Sequence, residues 1–453
     1  MALVAFLPVT GPAQTIAAAP DTRGQHESSE LFSPQGGSAL PAAALSLPEA
    51  KALTLRDNPS VEAAAQRVEA AAAVLRQARS AYFPVVSLSA AAHHVSETPA
   101  DSGGANMDPY DTYATTGNVT WLIFDGFARN FNVTAARCGE AGAVDNYRQV
   151  QRLLVQGTAL AFLNALLAEE GMRIAKQDAD FNRELSAETR KRFDAGAAAK
   201  SDVLNFDIRT TQAESRHVAA ELAFRSAKTA LAELLGIPAA ELPAGLVLVP
   251  PPEADLRTPL PDLGGELAFA LQNRPDLVSL QHSAAQLRAQ YSATRAEYLP
   301  RVSLQGGPGV SSLDDARFNW ERDNSVYGGV TATWDVFSGN STRHAAAELA
   351  ARTREVEAQC ERLRLAVVAE LRQQLDAIDV ARRQLALSEQ ISRMTSEVRD
   401  LVRIEYSAGR SSLTRLNEAQ TDLVRASGEL ASARIHCWQA LENLTAASGR
   451  NLP

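Results

Sequence analysis

The chain repeats itself, and the repeat constrains its fold more than any other feature. Leu55-Arg56-Asp57-Asn58-Pro59 leads into a helical stretch and then into Tyr82-Phe83-Pro84-Val85-Val86-Ser87-Leu88. The same order returns 216 residues later as Leu271-Gln272-Asn273-Arg274-Pro275, a helical stretch, and Tyr298-Leu299-Pro300-Arg301-Val302-Ser303-Leu304. Trp121, Phe124 and Gly126 match Trp334, Phe337 and Gly339 at a displacement of 213, and Phe193 and Gly196 match Tyr406 and Gly409 at the same displacement. Four landmarks in one order, with a single small slip, mark a duplicated unit. The 453 residues divide into a leader-like segment and linker (1–44), a first repeat (45–260) and a second repeat (261–453).

Each repeat has the same plan. A helix is expected over about 61–81 and again over about 277–297, ended by Pro84 or Pro300, which cannot continue it and force extended backbone. Period-2 patterning follows. Val86, Leu88 and Ala90 share one face against Ser87 and Ser89; Val119, Trp121 and Ile123 oppose Asn118 and Thr120; Val326, Val330, Ala332, Trp334 and Val336 oppose Tyr327, Thr331, Thr333 and Asp335. Two strand pairs, about 84–124 and 300–337, are therefore expected, with strands of about ten residues, the length that crosses a bilayer when tilted. Polar loops at 97–111 and 311–324 suit exposed tips. Long helical hairpins follow, about 129–235 with a break near 195–200, and about 343–444 with a break at Gly409. Sixty helical residues span roughly 90 Å, too long for one compact domain to cover, so such helices must pair with each other and with other chains. Residues 237–261, rich in proline, read as an ordered linker.

Composition narrows the function. Hydrophobic residues make up 45% but aromatics only 6%, which favours helices packed closely through small side chains. A net charge of −9 offers no basic face for nucleic acid. No stretch reaches ~18 uninterrupted apolar residues, so no transmembrane helix is visible, but membrane β-barrels carry a much weaker signal per segment. Cys138, Cys360 and Cys437 are far apart and imply neither a disulfide framework nor a metal site. His93 and His94 are adjacent in a strand, so they point to opposite faces and cannot chelate together. Gly306, Gly307 and Gly309 lack the lysine of a phosphate loop. No catalytic constellation is placed for chemistry, so no enzyme, cofactor or metal is expected. Residues Ala2 to Ala19 are apolar and end in three small residues, but the first basic residue is Arg23; an export signal and a merely apolar leader both fit.

Four strands cannot close a barrel, and an open sheet edge is not tolerated in lipid. Three chains would supply twelve strands, an even number within the range of outer-membrane barrels. The duplicated strand starts at Pro84 and Pro300, the strand ends from Trp121 to Gly126 and from Trp334 to Gly339, and the helix tips at Arg192-Phe193…Gly196 and Tyr406…Gly409 resemble the TolC family of outer-membrane channels over about residues 45–447. The resemblance implies a mainly α fold with membrane β: a tandem-repeat protomer of a homotrimeric, twelve-stranded β-barrel continuous with a long periplasmic α-helical barrel. It implies a passive exit duct in the outer membrane, partnered by a periplasmic adaptor and by an inner-membrane ABC transporter or proton-driven pump. The absence of a lipid-anchor cysteine near the start makes it more like the type I secretion branch than the lipoprotein drug-efflux branch. A periplasmic coiled-coil adaptor explains long helices but not two matched strand pairs; a soluble helical scaffold would reduce the strands to surface hairpins.

The resemblance also assigns a gate. Gly196 and Gly409 can supply the positive φ of a tight helix–helix turn. Asp202 and Tyr406 fall where the family places a closed-state hydrogen bond between neighbouring coils; as a first-turn acid, Asp202 also suits a helix N-terminus. Ser411 stands where some members carry a locking arginine. Arg415 and Glu418 stand where rings of aspartates often line the constriction, and at i,i+3 they could neutralise each other or be a solvated pair away from the lumen. Trp121 and Trp334 fit either a membrane interface or the barrel–helix junction.

Overall fold

Asn58 and Arg274 stand at corresponding points of the two repeats, and each is followed by a proline that opens a helix. In a computed structural model of the protein, which describes residues 44–95, 110–243, 245–313 and 323–452, this yields α1 (Leu47–Asp57) and α2 (Pro59–Ser80) in the first repeat. The second repeat gives α5 (Leu263–Asn273) and α6 (Pro275–Ala296), each shifted by 216 residues. Proline at the first helical turn costs nothing, since its missing N–H would be unsatisfied there anyway. The leader-like segment and most of both polar loops lie outside the described residues.

Four long strands follow the prolines: β2 (Val85–Val95), β3 (Tyr110–Phe124), β5 (Arg301–Leu313) and β6 (Asn324–Thr333). Two short ones, β1 (Ala44–Ser46) and β4 (Val247–Val249), form a separate small sheet in the linker region, with a 3-10 turn over Glu253–Arg257. The long strands form one antiparallel sheet in the order β2-β3-β5-β6, so its two edges are β2 and β6. Val85 pairs with Thr120, and Arg301 with Thr333; adding the two repeat displacements converts one hairpin register into the other. The repeats meet at β3–β5, from Thr112↔Leu313 to Leu122↔Ser303, with an irregularity at Phe124↔Val302. Alternation had suggested that the last strand runs on to Val336; β6 instead stops at Thr333. Its counterpart β3 is carried on to Phe124 by β5 after β2 leaves it at Thr120, whereas β6 is an edge and has no strand on that second side.

Below the sheet, α3 (Ala128–Asp194) and α7 (Ser341–Ser407) each run 67 residues, and α4 (Lys200–Leu234) and α8 (Leu413–Ser448) return from their far ends. At 1.5 Å per residue the two long helices each extend about 100 Å. By length and composition α3 qualifies as a candidate membrane span, the one such helix among the described residues. Its apolar residues Val155, Ala159, Phe162, Leu163 and Leu166 are instead buried in protein. The helix lies against α4, α6, α2, α8 and α1. A second core joins α5, α7 and α8 through Ala270, Val367, Leu371, Ile378, Ala440 and Leu444.

The repeat shows again where the helices end near the middle of the molecule. Asn58 Nδ2 donates to the Leu234 carbonyl at the end of α4 (2.8 Å), and Arg274 Nη1 donates to the Ala447 carbonyl at the end of α8 (3.0 Å). The arginine brings a charge that must be paired when buried. Asp276 (2.7 Å) and Glu370 (2.5 Å) pair it, and the nearby buried Arg152 donates to the Ala446 carbonyl (2.6 Å). Burial works against ionisation of Asp276, but hydrogen bonds and charge from Arg274, the charge of Arg152 and the Leu277 N–H outweigh it and hold its pKa below the ordinary value.

Candidate functional site

Two turns form the far end of the helical hairpins, and they are built alike. In the first, Gly196 has φ +74°, its N–H donates to the Phe193 carbonyl (2.9 Å) and that of Ala197 to the Arg192 carbonyl (2.7 Å). In the second, Gly409 has φ +70°, with Gly409 N–H to Tyr406 (3.0 Å) and Arg410 N–H to Glu405 (2.8 Å). Both are left-handed glycine caps that satisfy the last helical carbonyls, as expected from the sequence. The next helix starts differently in each. Ser412 caps α8 by accepting from the Arg415 N–H (3.3 Å), whereas Ala199 offers α4 no side-chain cap and the acid Asp202 sits in its first turn.

The side chains named for the gate are only partly brought together. Within the protomer no hydrogen bond joins Asp202 to Tyr406 among the described residues; the Tyr406 ring instead lies beneath the Arg192 guanidinium, 5.5 Å away. Tyr406 and Leu413 pack on a cluster of Phe181, Leu185, Phe206, Val402, Leu416 and Ala419, which ties all four long helices together near the tips. The Ser411 hydroxyl is buried with no partner among the described residues. Of the two readings of Arg415 and Glu418, direct neutralisation is not made within the protomer: both side chains are exposed, and no ion pair joins them among the described residues. An exposed i,i+3 pair gains too little in water to hold two long side chains together.

One polar group near the tips was not found from the sequence. Asp178 is buried on α3 and accepts from Gln420 Nε2 of α8 (3.0 Å), Asn182 Nδ2 (3.1 Å) and Arg216 Nη2 of α4 (2.9 Å). Asp178 and Asn182 are four apart on the inward face of a long helix, and a carboxylate there among apolar positions was the available signal. Nearby, Arg403 pairs with Glu184 (3.0 Å), and Arg399 and Arg403 lie over the Phe181 ring.

At the other end the strand-to-helix junctions are duplicated. Pro84 and Pro300 precede β2 and β5 by one residue. The Trp121 indole N–H donates to the Tyr82 carbonyl (2.9 Å) and that of Trp334 to the Tyr298 carbonyl (3.0 Å), tying each strand end to the chain just before the proline. Gly126 and Gly339 both have φ +66°, and the next residues, Phe127 and Asn340, are left-handed too. Arg129, also missed, fastens the first junction alone: it donates to the Leu122 (2.7 Å) and Ile123 (2.9 Å) carbonyls and pairs with Asp125 (3.1 Å). Its counterpart in the repeat is Thr342, which cannot do this.

Comparison with known proteins agrees with this geometry. The family model described as "Outer membrane efflux protein" matches residues 52–237 and 267–450, one match for each repeat. Protein CyaE of Bordetella pertussis is 26% identical over 382 residues, covering 84% of this chain and 79% of CyaE. The alkaline protease secretion protein AprF of Pseudomonas aeruginosa is 28% identical over 315 residues, 66% of this chain and 63% of AprF. The crystal structure of the outer membrane protein VceC from Vibrio cholerae shares the fold with a TM-score of 0.75, at 17% identity, over 89% of this chain and 96% of VceC. With a strand pair and a long helical hairpin in each of two matched repeats, the chain belongs to the outer membrane efflux protein family, the TolC-like channels of the outer membrane with a large periplasmic helical part.

Proposed function

We propose that three copies of the chain assemble into an open-ended exit duct, with a twelve-stranded barrel in the outer membrane and a helical tube in the periplasm. The observation that carries this reading is the four-stranded sheet with two unpaired edges, β2 and β6. Val86, Leu88, Val326 and Val330 on it are exposed, as lipid-facing residues must be. Neither edge can remain open in lipid, and copies of the same sheet are the available partners. The duct conducts passively. A periplasmic adaptor and an inner-membrane ABC transporter or proton-driven pump would supply cargo and energy.

Within that reading we favour protein cargo of a type I secretion system. Support comes from the likeness to AprF, whose name records protease secretion. The second reading is small-molecule efflux, supported by the family's own description. Deleting the gene separates them. Loss of a protein from the culture supernatant, with unchanged drug susceptibility, supports secretion; the reverse supports efflux. Detergent-purified protein should run as a heat-sensitive trimer and conduct ions in planar bilayers; a monomer without conductance would refute the duct.

A further inference from the structure

We propose that Tyr327 sets the bore of the barrel: folded flat onto the lumen wall and tethered there by Asn118, it leaves the duct wide enough for cargo as bulky as a polypeptide. This deepens the duct reading above, on which it rests, by naming side chains that decide what can pass.

The sheet has two unlike faces. Val86, Leu88, Val326 and Val330 lie on one, the lipid side of the duct. The strand registers put Ser87, Asn118, Gln305, Tyr327, Thr331 and Thr333 together on the other, the lumen side. Across that face, halfway along β5, one row runs Ser87, Asn118, Gly307, Tyr327. Ser87 pairs with Asn118 and Gly307 with Tyr327, while Thr116↔Gly309 and Val119↔Gly306 leave Asn118 opposite Gly307. The Tyr327 hydroxyl donates to Asn118 Oδ1 at 2.9 Å. These residues stand two strands apart, so about 9–10 Å of sheet lies between them. The phenol must therefore cross β5 at Gly307 to make the bond. A side chain that spans the wall in this way cannot also point into the lumen.

Gly307 makes the crossing possible. A Cβ there would meet the Gly117 carbonyl at 2.0 Å, so no other residue fits without moving β3. A ring laid across a strand glycine also covers its bare backbone. The tether is itself anchored: Asn118 Nδ2 donates to Thr120 Oγ1 (3.0 Å), which holds the amide oxygen toward Tyr327.

The surroundings follow the same rule. Gln305, the other long polar side chain at this level, is drawn along the wall, its Nε2 donating to Thr331 Oγ1 (2.9 Å). Ser89, Thr116, Gly309 and Ser325 in the next row are all small. The wall is thus smooth and polar, with its long side chains bonded to one another instead of reaching inward. The equivalent pair in the first repeat is Ala91↔Ala114, which has no large side chain to fold away. Three chains would place three tyrosines in the wall, and freeing them would narrow the passage from three sides.

Ion current is limited by the narrowest point anywhere along a duct, so the test uses a local probe. In a full-length chain with Cys138, Cys360 and Cys437 changed to alanine, Thr333→Cys places a thiol on the lumen face, six residues from Tyr327 toward the helices. Intact cells are treated from outside with N-ethylmaleimide, or with a maleimide on a polyethylene glycol too large for general porins. Asn118→Leu fills the landing site of the phenol and offers no acceptor. It should slow the large reagent about fivefold relative to the small one, the scale of one net hydrogen bond. Adding Tyr327→Ala should restore the rate, which a folding defect would not allow. An unchanged ratio in Asn118→Leu, or a slow one that Tyr327→Ala fails to restore, overturns the role of Tyr327 and leaves the duct standing. A Thr333→Cys chain that neither reagent labels overturns both, since the position then faces no open lumen.

Discussion

The two hairpin tips share one backbone and differ in nearly every side chain that could act as a gate. Their long helices have equal length, their glycines the same φ, and their closing hydrogen bonds the same pattern. Yet Asp202 corresponds to Arg415, Phe193 to Tyr406, Ala199 to Ser412, and the buried Asp178 to the exposed Ile391. The positions that fix the chain path have been kept in duplicate, while the side chains proposed for the gate have diverged. Shape and the proposed gating chemistry therefore reside in different residues, and each can be perturbed alone.

The largest asymmetry should appear where the repeats cap their returning helices. Arg274→Ala strips partners from Asp276, Glu370 and the Ala447 carbonyl, and should cost about 3–5 kcal/mol in chemical denaturation. The equivalent Asn58→Ala loses a neutral cap and should cost about 1 kcal/mol. Equal losses would break the comparison. Next, Asp178→Ala leaves Gln420 Nε2 without its acceptor in a buried seam and should cost ~1–3 kcal/mol, while Ile391→Ala should leave the isolated chain's stability nearly unchanged.

At the tips the expected effects are on current. Tyr406→Phe should raise single-channel conductance if its hydroxyl bonds Asp202 of a neighbouring copy; an unchanged conductance would remove Tyr406 from the gate. With Arg415 and Glu418 both present, the channel should be only weakly cation-selective at low salt, and strong cation selectivity persisting in Glu418→Ala would defeat that reading. The smallest effect is on pH. Since the folded state holds Asp276 below its ordinary pKa of 3.8, its contribution to stability is complete above that value and lost only as pH falls through the lower folded one. Wild-type stability should thus sag in strong acid by more than that of Asp276→Asn.

Much of this was legible in the sequence because the informative residues act locally. Proline ends a helix wherever it stands, glycine permits a left-handed turn, and alternation reports a strand, so Pro84, Gly196, Gly409 and β2 could be read directly. The misses have two causes. Nothing local to Asp178 says that it will bind Gln420, 242 residues away, while the carbonyls that Arg129 binds are only six and seven residues back but face it only after the left-handed turn at Gly126 and Phe127. Edge effects were hidden too: the pattern through Trp334 and Val336 is that of a strand, but a ladder needs a neighbour, and the single chain does not supply it. Spacing alone could not choose between the two readings of Arg415 and Glu418, since it allows a contact that solvation does not reward.

The equal length of α3 and α7 has a consequence for symmetry. It sets both turns at the same depth, so in the proposed trimer six tips share one circle, six-fold in outline. Because Asp202 and Arg415 begin the return helices at corresponding positions, that circle would alternate acid and base, three-fold in charge. A partner approaching the tip could fit its shape in six orientations but match its polarity in only three.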